Sequence, residues 1–120
     1  GNNVAITDAN EIILNASTVS GTLGITSTGA VTQNGALTVT GATTISAGAA
    51  KDITLGSSND FSSIGITTGN NVAITDANAI ILNASTVSGT LGVTASGAVT
   101  DAEALAVTGA TTIAAGAGND

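Results

Sequence analysis

The chain has no Cys, Pro, Met, His, Trp or Tyr, and one Phe and one Lys among its 120 residues. Each absence removes a class of explanation. Without Cys there are no disulfides, and cysteine says nothing about redox compartment. Without His or Cys, the Ser-His-Asp and Cys-His arrangements of nucleophilic catalysis cannot be built. Lys51 is the only base and the net charge is −7. Such a chain cannot displace counterions from a polyanion, so nucleic acid is excluded as a partner, and an anionic lipid surface with it. No apolar run reaches the roughly 18–20 residues of a membrane helix, and no membrane insertion is expected. No basic-then-apolar leader follows Gly1, so the chain reads as a mature piece or an excised segment.

What remains is aliphatic and small. The large apolar residues are nine Val, twelve Ile, seven Leu and Phe61, and Ala and Gly fill much of the rest. This supply suits a thin core of β-branched side chains repeated along one direction. The low charge and abundant Ser, Thr and Asn resemble a disordered tract, but the regular aliphatic pattern argues against disorder.

The decisive feature is a repeat. Gly1-Asn2-Asn3-Val4-Ala5-Ile6-Thr7-Asp8-Ala9-Asn10 returns unchanged as Gly69 to Asn78, 68 residues later. Aligning 1–52 with 69–120 gives 41 identities in 52 positions. The chain is therefore read as one segment, 1–120, made of repeat one (1–68) and a partial repeat two (69–120).

Within each repeat the apolar residues alternate: Val4-x-Ile6, Leu23-x-Ile25, Leu37-x-Val39, Ile53-x-Leu55, Leu105-x-Val107. Alternation of β-branched residues specifies half-buried strands, and the Gly, Asn, Asp and Ser between them specify turns. Three sub-units, 64–89, 90–109 and 42–63, begin alike and each carries three short strands. Sub-units of this size fit one coil of a parallel β-solenoid, stacked at about 4.8 Å with like side chains over like. The expected fold is all-β: a right-handed parallel β-helix with three short strands per coil, about five coils, and three coils per 68-residue repeat. An antiparallel sandwich is the competing fold, but it requires neither repetition coil by coil nor a core so poor in aromatics. The longest sub-unit exceeds the shortest by six residues, which assigns Asn15–Ser20 and Asn83–Ser88 to a longer corner or an extra strand.

Runs such as Gly35-Ala36-Leu37-Thr38-Val39-Thr40-Gly41-Ala42-Thr43-Thr44-Ile45 and Ser58-Asn59-Asp60-Phe61 resemble the repeats of filamentous-haemagglutinin-type bacterial adhesins and related extracellular β-strand-repeat proteins. The resemblance covers essentially the whole chain. It implies a right-handed β-helix, a bacterial cell-surface or extracellular location, and a shaft that holds adhesive parts away from the cell. The secretion domain of that family is not in this sequence.

Few residues carry chemistry. Lys51 beside Asp52 reads as a turn ion pair. Paired carboxylates would need a cleft to shift their pKa, and a uniform shaft offers none, so no enzyme activity is expected. If Asp76-Ala77-Asn78 and Asp101-Ala102-Glu103 occupy the same turn of successive coils, Asp76 stacks near Asp101 and Asn78 near Glu103. Such an oxygen cluster is the one candidate metal site, for Ca²⁺; otherwise these are solvated acidic turns and no cofactor is expected. Asn15-Ala16-Ser17 and Asn83-Ala84-Ser85 fit the N-glycosylation triplet, and read more simply as Asn at a corner. Outward Thr38 and Thr40 resemble an ice-binding Thr array, but Thr38 becomes Ala106 in the second copy and β-propensity accounts for the Thr content.

The function expected is mechanical, a shaft segment of an extracellular filament or adhesin. The alternative is a module that grips carbohydrate or a receptor through its turns. Fifteen strands between the two ends make five coils in phase, and neither end carries a Pro-bearing or charged block. The expected partner is therefore self, head to tail along the axis, with lateral self-contacts on the sides.

Overall fold

The computed structural model describes residues 2–118. It is a parallel β-solenoid of about six turns with no helix, close to the five coils expected. The strands run β1 (Val4–Asp8), β2 (Ile12–Leu14), β3 (Ser17–Val19), β4 (Leu23–Ser27), β5 (Val31–Gln33), β6 (Leu37–Ser46) and β7 (Ile53–Thr68). The second copy supplies β8 (Val72–Asp76), β9 (Ile80–Leu82), β10 (Ser85–Val87), β11 (Leu91–Ala95), β12 (Val99–Asp101), β13 (Leu105–Val107) and β14 (Thr111–Ala114). All pairings are parallel. Three faces form the cross-section, and β1, β2 and β3 define them at the lower end. Strand β6 turns one corner without a break, and β7 turns two.

Register follows from turn length. On the first face Val4 stacks under Leu23, Leu23 under Thr43, and Thr43 under Ile64. On the second face Ile12, Val31, Ile53, Val72, Leu91 and Thr111 form one column. Each turn takes between 17 residues (Asn59 to Asp76) and 22 (Val31 to Ile53). The core is the set of inward columns: Ile25 over Ile6, then Ile45 and Ile66 on the first face, and Leu55, Ile74 and Val93 on the second. Phe61, fully buried, covers Val39 on the third. Outward positions are mostly small or polar, such as Ala73, Thr75, Gly92 and Thr94, with Ile13 and Ile81 as exposed exceptions.

Corners are where turns come closest. A Cβ on Gly29 would lie 2.4 Å from the backbone nitrogen of Glu11, and one on its copy Gly97 2.5 Å from that of Ala79. Only glycine fits where one corner crosses the next so tightly. Gly48 has φ of 95°, the left-handed conformation that closes the Gly48–Lys51 turn.

Two expectations are corrected. Of the two readings of Asn15–Ser20, the strand is present and the longer corner is corrected: Ser17–Val19 is a face strand paired with Leu37–Val39, and its copy Ser85–Val87 pairs with Leu105–Val107. The 26-residue sub-unit was one turn plus a strand. In consequence the 68-residue repeat advances three turns and one further face. Strand β1 pairs with β4 on the first face, whereas its copy β8 rises from Ile53–Leu55 on the second. The exposed Ile13 and its copy Ile81 show the same rotation, on the second and third faces.

Because the two copies share residues but not neighbours, burial alone separates them. Ile74 is 3 % exposed, while its counterpart Ile6 at the lower end is only half-buried. Ile74→Asp is expected to destabilise by about 4 kcal/mol or more, and Ile6→Asp by clearly less. Thr43 faces inward between Leu23 and Ile64, and its hydroxyl has no hydrogen-bond partner among the described residues. Thr43→Val should therefore stabilise by about 1–2 kcal/mol, and outward Thr38→Ala should be near neutral. Chemical denaturation of the four variants checks the order.

Candidate functional site

The most constrained polar cluster lies at the corner between the second and third faces. Strand β7 carries two extra residues there: Leu55 stacks on Ile74, but Asn59 stacks on Asp76. The added length pushes the backbone of Gly56–Ser58 out and turns Asn59 inward, where it is completely buried. A buried amide must find all its partners. Asn59 Oδ1 accepts from Leu37 N–H at 2.9 Å and from Gln33 Nε2 at 2.8 Å. Asn59 Nδ2 donates to Gln33 Oε1 at 2.9 Å and to the Thr75 carbonyl at 3.0 Å. Gln33 and Asn59 are thus a reciprocal amide pair between successive turns. Gln33 Oε1 also accepts from Ser57 N–H at 2.9 Å, which ties down the bulge itself.

One turn higher, Asp76 is 2 % exposed. Its Oδ1 accepts from Asn78 N–H at 2.8 Å and its Oδ2 from Phe61 N–H at 2.7 Å. Burial raises its pKa above the ordinary carboxylate value, the two N–H donors pull it back down, and the nearby Asp60 charge adds to the rise. The cluster holds a wide corner closed. Its donors and acceptors are spent on one another and on backbone.

The structure does not bring the Ca²⁺ candidates together. Asp76 lies under Ala95, and Asp101 lies over Leu82 on a different face. The Gly97 N–H bonds to the Asn78 carbonyl, so Gly97, and not Glu103, sits above Asn78. The physical reason is the turn length. Asp101 follows Asp76 by 25 residues, but Val72 to Leu91 and Ile80 to Val99 are steps of 19. Among the described residues no three acidic, His or Cys side chains converge.

The other candidates are equally placed by register. Asp52 Oδ1 accepts from Asn71 N–H and from Asn70 Nδ2, each at 3.1 Å, so this carboxylate stitches one turn to the next instead of serving Lys51. Asn83 Nδ2 donates to Ser63 Oγ at 3.0 Å, and Ser85 Oγ accepts from Ile66 N–H at 3.0 Å. The second Asn-x-Ser triplet is thereby part of the coil-to-coil bonding. The outward column holding Thr38 runs Thr18, Thr38, Asp60, which is no Thr array. A shallow groove of 460 Å³ crosses this face, lined by Thr38, Thr40, Asp60, Ser62, Ile81 and Thr100 among others. Its rims are the outward side chains of four stacked turns.

Sequence reasoning missed Gln33 and Asn59. Ser58, Asn59 and Asp60 fall among the Ser, Asn and Asp residues that the alternation assigns to turns. The available signal was length: Gly56-Ser57-Ser58-Asn59 puts more residues between Leu55 and Phe61 than a face and corner consume.

A family model described as repeats of unknown function (DUF5649) matches residues 1–68 and again 69–120. No curated protein and no solved structure matches the chain.

Two outcomes test the corner. Asn59→Ala strips a partner from the buried Leu37 N–H and from Gln33, and should cost about 2–3 kcal/mol in a denaturation series. For Asp76 the folded pKa is raised above the unfolded one. Its contribution is then fully present below the unfolded pKa and lost as pH rises through the folded pKa. Melting the wild type and Asp76→Asn from neutral pH down towards pH ~4 should therefore shift the difference in favour of the wild type. A shift the other way would mean that the N–H donors outweigh burial.

Proposed function

The chain belongs to this family of repeats, and on that premise we propose that it is a structural shaft segment of an extracellular filament or bacterial surface adhesin. The observation that supports the reading is continuity. One column of paired residues runs through all six levels of the second face, from Ile12 to Thr111, unbroken between the copies. Backbone pairing ties each turn to the turns directly above and below, so stability sums along the axis, and added repeats lengthen the object without changing its sides. Regular outward Ser and Thr keep those sides hydrated. A stiff element of defined reach is what this geometry supplies.

The single aromatic, Phe61, is fully buried, so the surface offers no ring on which a sugar could stack. The mechanical reading is therefore better supported than a carbohydrate-gripping one. Extracellular placement rests on the adhesin resemblance, and immunogold labelling of intact source cells tests it. The shaft itself is tested by imaging tandem arrays of the repeat. Three and one-third turns at about 4.8 Å give about 16 Å per repeat. Rods of constant width should lengthen by that increment, and compact particles would overturn the reading.

A further inference from the structure

The first three strands have one neighbour each, β4, β5 and β6, while their copies β8, β9 and β10 have a turn above and a turn beneath. The two sets share one sequence from Asn2 to Asn10 and from Ile12 to Ile25's neighbour Gly24. The second copy therefore displays what the first does when its lower side is covered. Its cover is the stretch Asp52–Ile66 beneath Asn70–Ser85, with Gly69 beneath Val87.

The cover is held by named side chains. Asp52 Oδ1 accepts from Asn70 Nδ2 and from Asn71 N–H, Asp76 Oδ2 accepts from Phe61 N–H, Asn83 Nδ2 donates to Ser63 Oγ, and Ser85 Oγ accepts from Ile66 N–H. Backbone bonds complete it: Ala77 N–H donates to the Asn59 carbonyl at 2.6 Å and Asn83 N–H to the Ile64 carbonyl at 2.8 Å.

The counterparts in the first copy are already in position. Asn3 Oδ1 accepts from Thr22 N–H at 3.0 Å, as Asn71 does from Thr90 at 3.1 Å. Asp8 Oδ1 accepts from Asn10 N–H at 2.7 Å, as Asp76 does from Asn78 at 2.8 Å. Ser17 Oγ donates to the Asn15 carbonyl at 2.9 Å, matching Ser85 to Asn83 at 2.9 Å. The bonds that fix each side chain are the same, so the groups that face downward are pre-oriented. Between them Val4, Ile6 and Ile12 are half-buried where Val72, Ile74 and Ile80 are buried, and an apolar recess of 350 Å³ opens onto Val4, Ile6, Leu14 and Val19. The upper edge matches: Ile113 is 46 % exposed, while its counterpart Ile45 is fully buried under Ile66.

We infer that the lower edge, Asn2–Val19, is a docking surface for a coil with the sequence of residues 52–66 from another repeat, seated one face around, as 52–66 seats beneath 70–85. This rests on the shaft reading and adds the partner segment, its register and its bonds. Asp8 Oδ2 receives the Phe61-type N–H, Ser17 Oγ the Ile66-type N–H, and Ile6 closes over the Leu55-type side chain. The interface is head-to-tail and repeats without closing.

The test joins the sequence of residues 52–68 directly ahead of Gly1 in the full chain, which is the order in which 52–68 precedes Gly69. Docking should slow amide exchange at Ala9 and Asn15 by about tenfold or more and raise the melting midpoint by about 5 °C. Ile6→Asp should become as damaging in the extended chain as Ile74→Asp, and Asp8→Ala should remove most of the gain. A scrambled segment of the same composition should give neither effect. Unchanged exchange at Ala9 and Asn15, or equal protection by the scrambled segment, overturns the proposal. The shaft reading fails separately, if tandem arrays do not form rods.

Discussion

Parallel pairing between turns is the constraint from which the rest follows. At about 4.8 Å per level, every residue is tied to the one a turn later, and side chains have no choice of vertical neighbour. An inward column therefore favours residues that pack on their own kind, as Ile25, Ile45 and Ile66 do, and Thr43 between Leu23 and Ile64 is the exception, left without a hydrogen-bond partner among the described residues. An error of one residue in any turn would transfer a whole column from core to solvent. Length tolerance must be absorbed at corners, and the structure concentrates its unusual chemistry there.

The corner at Asn59 shows how. Two additional residues would break the stack if left unsupported, because buried backbone groups would lose their partners. The Gln33–Asn59 amide pair and the Asp76 carboxylate take over those bonds, so Phe61 and Leu55 on either side keep their columns. Gly29 and Gly97 solve the opposite problem, a corner with no room for a Cβ. A polar cluster and a missing side chain thus serve the same end, constant pitch despite turns of unequal length.

The one-face rotation between copies is a consequence of these corner lengths. Identical residues occur on successive faces, as Ile13 and Ile81 do, so no single side of a long array collects one kind of surface group. An array at this pitch returns to its starting orientation after three repeats. Outward groups of each kind are then distributed around the axis instead of lining one side.

Strand identity, the inward and outward sense of Ile74 or Thr38, the 68-residue period and the parallel solenoid were all legible in the sequence. Alternation and repetition are local or self-referential patterns. What only the tertiary structure decided is who lies above whom. Asp76 and Asp101 look like one column when sub-units are aligned by resemblance, yet they lie on different faces, because stacking depends on the residues each corner consumes. The same accounting turned Ser17–Val19 from an insertion into a face, set three and one-third turns per repeat, and buried Asn59 against Gln33. A corner's length is settled by bulges, glycine contacts and side-chain bonds that exist only once two turns have met, and no periodicity in the chain records it.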